Sequence, residues 1–227
     1  MKGFIAPLIT LFSLTAFAQD NCSRYYPFKE DIKYEIRSFG RDDKLIAITQ
    51  YQINDVWHTT TGDKALITAF VQDGTDNTGG HPALELQCSN NAITINYKSV
   101  VPGFLLEKYA NLDYEVVHSD MVIPNQLDEG EELPDAEIEM NVSVAPIIMN
   151  VKYKMTNREV GEMETLSTPA GVFKCKVITY DTQFENGFKA QGTAKQWIAE
   201  GVGLVKQIDY DHNGKVAGMN LLTRFAQ

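Results

Sequence analysis

"IDYDHNGKVAGMN" (Ile208–Asn220) admits two readings, a calcium-binding loop or the turn of a β-hairpin, and the fold follows from which is right. The calcium-loop pattern D-x-[DN]-x-[DN]-G-x5-E is matched by Asp209, Asp211, Asn213 and Gly214. It then fails at the bidentate Glu, because Asn220 stands there. An EF-hand also needs a helix on each side. Here "GLVKQIDY" and "KVAGMNLL" alternate with the period of two that turns one face of a strand inward. Asn213-Gly214 is the favoured central pair of a type I′ hairpin turn, in which both residues take positive φ. The stretch therefore reads as a hairpin, with Asp209, Asp211 and Asn213 as turn residues and no metal site. "ENGF" (Glu185–Phe188) repeats the device one hairpin earlier.

The same period runs along most of the chain. "IKYEIRSF", "KLIAITQYQI", "KALITAFVQD", "ALELQC" and "AITINY" are joined by the short polar connections "GRDD", "GTDNTGGHP" and "SNN". After an interruption come "YEVVH", "MVIP", "AEIEMNVSV", "IIMNVKYKMTNREV", "GEMETLST", "GVFKCKVITYDTQF" and "FKAQGTAKQWIA", and then the hairpin already described. The interruption, "VVPGFLLEKYANLD", spaces Phe104, Leu105, Tyr109 and Leu112 as a helix does, with Pro102 near its start; one short helix is expected near residues 102–112. About a dozen antiparallel strands leave edges that must be protected. An all-β, curled antiparallel sheet, a barrel or half-barrel, solves this and is the expected architecture.

The N-terminus carries Lys2, an apolar run to about Phe17 and the small-x-small triplet Ala16-Phe17-Ala18, the pattern of a signal peptide cut before Gln19. The run is shorter than the roughly 20 residues a spanning helix needs, and no second candidate follows. The expected organisation is a signal peptide over 1–18 and a single β-rich domain over 19–227, exported to the periplasm or outside the cell and soluble after cleavage. Cys22 lies just past the cut, but Gln19-Asp20-Asn21 before it is not the small, apolar run of a lipid-attachment site. Cleavage removes Lys2 and no acid, so the net charge moves from −10 to −11. That disfavours nucleic acid and anionic lipid surfaces, which both call for basic patches. The densest acidic run, "DEGEEL" (Asp128–Leu133), reads as a solvated loop.

In an oxidising compartment three cysteines imply one disulfide and one thiol left over. Cys88 shares a face with Leu84 and Leu86, and Cys175 with Phe173 and Val177, so both point inward. Cys22 sits at a terminus that frays unless pinned. Cys22–Cys88 is the expected bridge with Cys175 a buried thiol, and Cys22–Cys175 is the alternative.

"TPAGVFKCKVITYD" from Thr168 and "WIAEGVGLVKQIDYD" from Trp197 resemble paired motifs of the TapB-like, DUF3108-like family of exported bacterial proteins. "CSRYYPFKE" from Cys22 and "LPDAEIEM" from Leu133 are similar to that family's start and middle. The resemblance implies a β-rich exported fold and names no reaction. Read as residues, Pro169 and Gly171 make a turn before a strand, and Gly201 and Gly203 flank a turn or bulge. A phosphate-cradling role for these glycines lacks the helix N-terminus and the lysine it would need.

Catalytic signatures are absent: there is no H-E-x-x-H, G-x-S-x-G or C-x-x-C, and His58, His81, His118 and His212 are scattered. No cofactor motif is present either. Trp57 and Trp197 read as core or strand-rim aromatics in preference to a sugar-stacking surface. Three functions remain in order of preference. The first is a non-catalytic envelope protein that holds a lipid-like, apolar or amphiphilic ligand in the curved sheet, with Phe70, Met149 and Phe173 as candidate lining residues. The second is a structural or protein-interaction module of the envelope with a filled core. The third is a hydrolase of envelope glycans or lipids.

Overall fold

A computed structural model describes residues 22–73, 83–96 and 112–226. The signal peptide expected over 1–18 therefore lies outside the described residues, as does the helix expected near 102–112 apart from Leu112, which forms a bend before the next strand. The strands are β1 (Lys33–Phe39), β2 (Leu45–Thr59), β3 (Gly62–Asp73), β4 (Ala83–Ser89), β5 (Ala92–Asn96), β6 (Asp113–Pro124), β7 (Glu132–Leu133), β8 (Ala136–Val144), β9 (Ile147–Thr168), β10 (Gly171–Glu185), β11 (Lys189–Ala199), β12 (Gly203–Asp211) and β13 (Val216–Ala226). All belong to one curled antiparallel sheet, in the order β10-β11-β12-β13-β1-β2-β3-β4-β5-β6-β8-β9-β7. The only helical turn among the described residues is the 3-10 turn Arg41–Asp43.

Closure comes from one long strand. Residues 152–155 of β9 pair with β8 through Ala136–Glu139 and with β10 through Thr182–Glu185. The hydrogen-bonded ladder thus runs from β10 round to β9 and back, and every strand but β7 belongs to the circuit. Closing the ladder removes the edges that a sheet of this size would otherwise expose. The sequence reads β9 as two strands broken near Gly161 and β6 as two broken near His118; each is one strand. A Cβ on Gly161 would meet only ordinary contact at 3.6 Å from Val177, so nothing there forces a break. In β6 the irregularity is a register shift between Val116 and His118, which bends a strand without ending it.

Alternation decides what lies inside. Ala47, Ile53, Ala65, Ile67, Ala69, Leu86, Ile93, Ile123, Met140, Val151, Val160 and Ile178 are all buried in the main core. Loop residues Tyr25, Ile32 and Leu127 also enter that core, and a smaller cluster gathers Ile36, Cys175, Val177, Trp197, Val205 and Leu222. Cys22 and Cys88 form the disulfide, with Cα atoms 5.9 Å apart, and Cys175 is a buried free thiol. Burial away from water pushes that thiol up to about 11, with the Glu164 charge adding to the effect, so it is inert near neutrality.

The opening stretch is a hairpin turn between β12 and β13, but not of type I′. Gly214 takes φ 73° while Asn213 does not take positive φ. The Gly214 N–H donates to the Asp211 carbonyl at 2.8 Å and the Asp211 N–H to the Lys215 carbonyl at 2.8 Å, a type I turn followed by a left-handed glycine. The reason is the Asp211 carboxylate, which accepts from the N–H groups of Asn213 and Lys215 and so fixes the turn from its first residue. "ENGF" departs in the same way, since Gly187 has φ 85° and Asn186 does not take positive φ. The type I′ signature appears instead at Asn90-Asn91, with φ of 50° and 61° between the paired residues Ser89 and Ala92. Gly203 earns its place by packing: φ is 88°, and a Cβ there would come within 2.7 Å of the Tyr26 ring.

Candidate functional site

The sheet register builds a groove out of residues that are far apart in the chain. One row across it is Arg224–Glu35–Gln50–Phe70 and the next is Ala226–Lys33–Gln52–Thr68, contributed by β13, β1, β2 and β3 in turn. The alternate residues Tyr51 and Ala69 are paired on the opposite face, where Ala69 is part of the main core, so the two rows face outward. Together they line a groove of about 420 Å³, bordered also by Tyr34 and Tyr51. Those two tyrosines are stacked, with ring centroids 4.7 Å apart and planes 12° apart. Burial raises the Tyr51 phenol to about 12, so it stays neutral and acts as a packing group.

Glu35 is the anchor of the groove, only 4% exposed. A bulge in β13 between Leu222 and Arg224 places Thr223 beside it. The Thr223 hydroxyl donates to Glu35 Oε1 at 2.7 Å, Arg37 Nε donates to the same oxygen at 3.2 Å, and Arg224 lies 3.9 Å from Oε2. Burial pushes the Glu35 carboxyl up, but the Thr223 and Arg37 hydrogen bonds and the charges of Arg224 and Arg37 outweigh it and hold the group below its usual range. It is ionised, with Oε1 accepting two hydrogen bonds and Oε2 facing the Arg224 charge. With Lys33 and Arg224 lining the groove beside this one carboxylate, and Arg37 bonded to it, the groove is a locally cationic region on a chain of net charge −10.

A second polar group lies inside the barrel. The inward row Val160–Ile178–Gln196–Gln207–Asn220–Ser38–Ala47 is apolar at both ends and polar in the middle. Ser38 donates to Asn220 Oδ1 at 2.8 Å and Gln196 Nε2 to Gln207 Oε1 at 2.8 Å. Gln207 Nε2 in turn donates to both oxygens of Asp209, at 3.0 and 3.1 Å, and the Tyr153 hydroxyl lies 3.5 Å from Oδ1. Asp209 is thus no turn residue, contrary to the sequence reading: it lies two positions before the turn, with its carboxyl in the interior. Burial raises that carboxyl to about 7 against the lowering effect of Gln207 and Tyr153. Arg158, 1% exposed, adds a buried cation, donating from one terminal nitrogen to the carbonyls of Val122 at 3.1 Å and Pro134 at 2.5 Å.

The candidate lining residues are not brought together. Phe70 lines the outer groove, Met149 packs half-buried against the main core, and Phe173 packs against the smaller cluster. Trp197 is buried, donating its indole N–H to Glu164 at 2.8 Å under the Lys195 ammonium, whereas Trp57 is exposed near the β2–β3 turn. His58 pairs with Asp63 near that turn, and His212 lies in the β12–β13 turn at the other end of the barrel; His81 and the His118 side chain lie outside the described residues. Sequence reasoning missed Glu35, Arg224 and Gln50 because outward polar residues on a strand look like any solvated face. A signal was present for the interior row, since Gln196, Gln207 and Asn220 occupy positions that alternation marks as inward.

Two solved structures share this fold. One is a Bacteroides fragilis protein assigned as exported with a YmcC-like fold, 16% identical, with a TM-score of 0.73, covering 91% of this chain and 100% of its own. The other is a Parabacteroides distasonis protein assigned as a lipoprotein, 18% identical, with a TM-score of 0.72, covering 90% of this chain and 99% of its own. No curated protein matches the sequence. The family model for DUF3108-like proteins matches residues 29–222, from just before β1 into β13, and the chain belongs to the DUF3108-like family.

Proposed function

We propose that this chain is an exported, non-catalytic protein of the cell envelope that binds an amphiphilic small molecule in the outer groove of β13, β1, β2 and β3. The observation that carries the reading is the groove's composition. Phe70 beside Thr68 offers an apolar face on one side, Lys33 and Arg224 offer cations on the other, and Gln50 and Gln52 lie between. Its volume of about 420 Å³ falls in the range of small-molecule sites. An anionic head group meets the arginine and lysine while an apolar chain or ring lies on Phe70. The barrel interior, packed with aliphatic side chains, supports seating the ligand outside the sheet.

The non-catalytic reading rests on the state of the two carboxyls. Glu35 borders the groove but is held ionised, with Oε1 already accepting from Thr223 and Arg37, and Asp209 has a raised pKa but faces the interior, away from the groove. General acid–base work calls for both properties in one place. Titrating the protein with dodecanoate and, separately, with dodecyl maltoside under native mass spectrometry tests the reading. One dodecanoate per chain, lost in Phe70→Ala and in Arg224→Glu, is expected. Absence of stoichiometric binding of either detergent, or binding unaffected by both substitutions, would overturn it.

A second reading, a protein-interaction module, is favoured by the β8–β9 hairpin tip. Val144, Ala145, Pro146, Ile147 and Ile148 are all exposed, Ile147 at 67% and Ile148 at 69%, which is a large apolar surface for a single turn.

A further inference from the structure

Within the closed circuit of strands, β9 outruns its neighbours on one edge. Its last partner in β8 is Met155 opposite Ala136, and β7 reaches only Arg158 and Glu159. Val160 still exchanges backbone hydrogen bonds with Gly130 and Glu131. From residue 161 to 168 the strand is paired with β10 alone among the described residues, so one row of backbone donors and acceptors has no strand beside it. Open edges are ordinarily blunted by lysine, proline or a bulge. A bulge at residues 161–162 opens this stretch, but neither lysine nor proline occurs in 161–168 and pairing is regular from Met163 to Thr168; the exposed side chains are Glu162, Met163, Thr165 and Ser167.

The head of this edge is acidic. Glu129, Glu132, Glu159 and Glu162 are exposed there, and none has an ion-pair partner among the described residues. We propose that residues 161–168 of β9 accept an extended, basic segment of a partner protein as an added strand, continuing the track that β7 occupies. Main-chain pairing supplies the affinity and the carboxylates select for lysine or arginine. A second copy paired antiparallel over 161–168 would set Glu162 opposite Ser167 and give the head carboxylates no cation, so the charge favours a basic partner. The inference is independent of the groove, which lies on β13, β1, β2 and β3.

Hydrogen–deuterium exchange of the full mature chain tests it, using a ten-residue peptide of alternating valine and lysine and a control with glutamate in place of lysine. Slower exchange confined to residues 161–168 is expected with the lysine peptide and not with the glutamate peptide. About tenfold weaker binding is expected for the doubly substituted Glu159→Lys, Glu162→Lys chain, whose exposed positions leave folding intact, and at high salt. Equal protection by both peptides, or none at 161–168, would overturn the proposal. So would concentration-dependent protection of the same residues without peptide, which would assign the edge to self-association.

Discussion

Replacing Cys22 by alanine removes the disulfide and leaves the Cys88 thiol in the core, where a small apolar group is tolerated. The bridge closes a loop spanning a sequence separation of 66 residues. In the chain-entropy description, a loop of that size restricts the unfolded chain by about 4 kcal/mol at 25 °C. Part of the native tether survives the substitution, because Asn125 still accepts from the Arg24 N–H at 3.0 Å and donates to the Cys22 carbonyl. Against a typical stability of about 5–15 kcal/mol, the loss is a large fraction of the whole. Urea denaturation followed by tryptophan fluorescence should show a lower midpoint together with a steeper slope, because the freed unfolded chain exposes more surface. Cys175→Ala should keep the parent's sensitivity to reductant. A loss below about 1 kcal/mol for Cys22→Ala would refute the entropic account. Loss of reductant sensitivity in Cys175→Ala would instead identify Cys22–Cys175 as the bridge in solution.

Asp209 sets a pH dependence. Its folded pKa of about 7 lies above its usual value, so the native state holds a proton that the unfolded chain has released, and stability falls as pH rises from about 4 through 7. Asp209→Asn should flatten that slope and exceed the parent's stability at pH 8, read from urea midpoints at pH 5 and pH 8; an unchanged slope would contradict the assignment. Gly203→Ala places a Cβ against the Tyr26 ring at φ 88°, and should lower stability by about 1–3 kcal/mol in thermal unfolding. Trp197→Phe loses the indole hydrogen bond to Glu164 and should cost about 1 kcal/mol in the same assay, whereas Trp57→Phe, at an exposed site, should be within about 0.5 kcal/mol of the parent.

Much of the architecture was legible because alternation is local. Ala65, Ile67 and Ala69 announce which face of β3 is buried, and Leu84, Leu86 and Cys88 do the same for β4, without any knowledge of their partners. The fraying terminus at Cys22 and the inward direction of both Cys88 and Cys175 left two pairings, and the structure has Cys22–Cys88, the preferred one. Turn residues were legible as turns but not as turn types: Asn213-Gly214 and Asn90-Asn91 carry similar local signals but differ in geometry, the Asp211 carboxylate being bonded into the first. Asp209 was misplaced for the same reason, since a motif match counts positions and cannot see that the strand continues through it.

By itself, then, the sequence determined an all-β chain of short-range hairpins and the face each strand buries, and narrowed the bridge to Cys22 with Cys88 or Cys175. These depend on the two-residue period and on contacts between neighbours in the chain. The tertiary structure alone decided how the sheet closes and which residues line the outer groove. Closure depends on β9 being long enough to pair on both edges, and the groove depends on Arg224, Glu35, Gln50 and Phe70 falling in one row. Both are matters of register between distant strands, which no local pattern encodes.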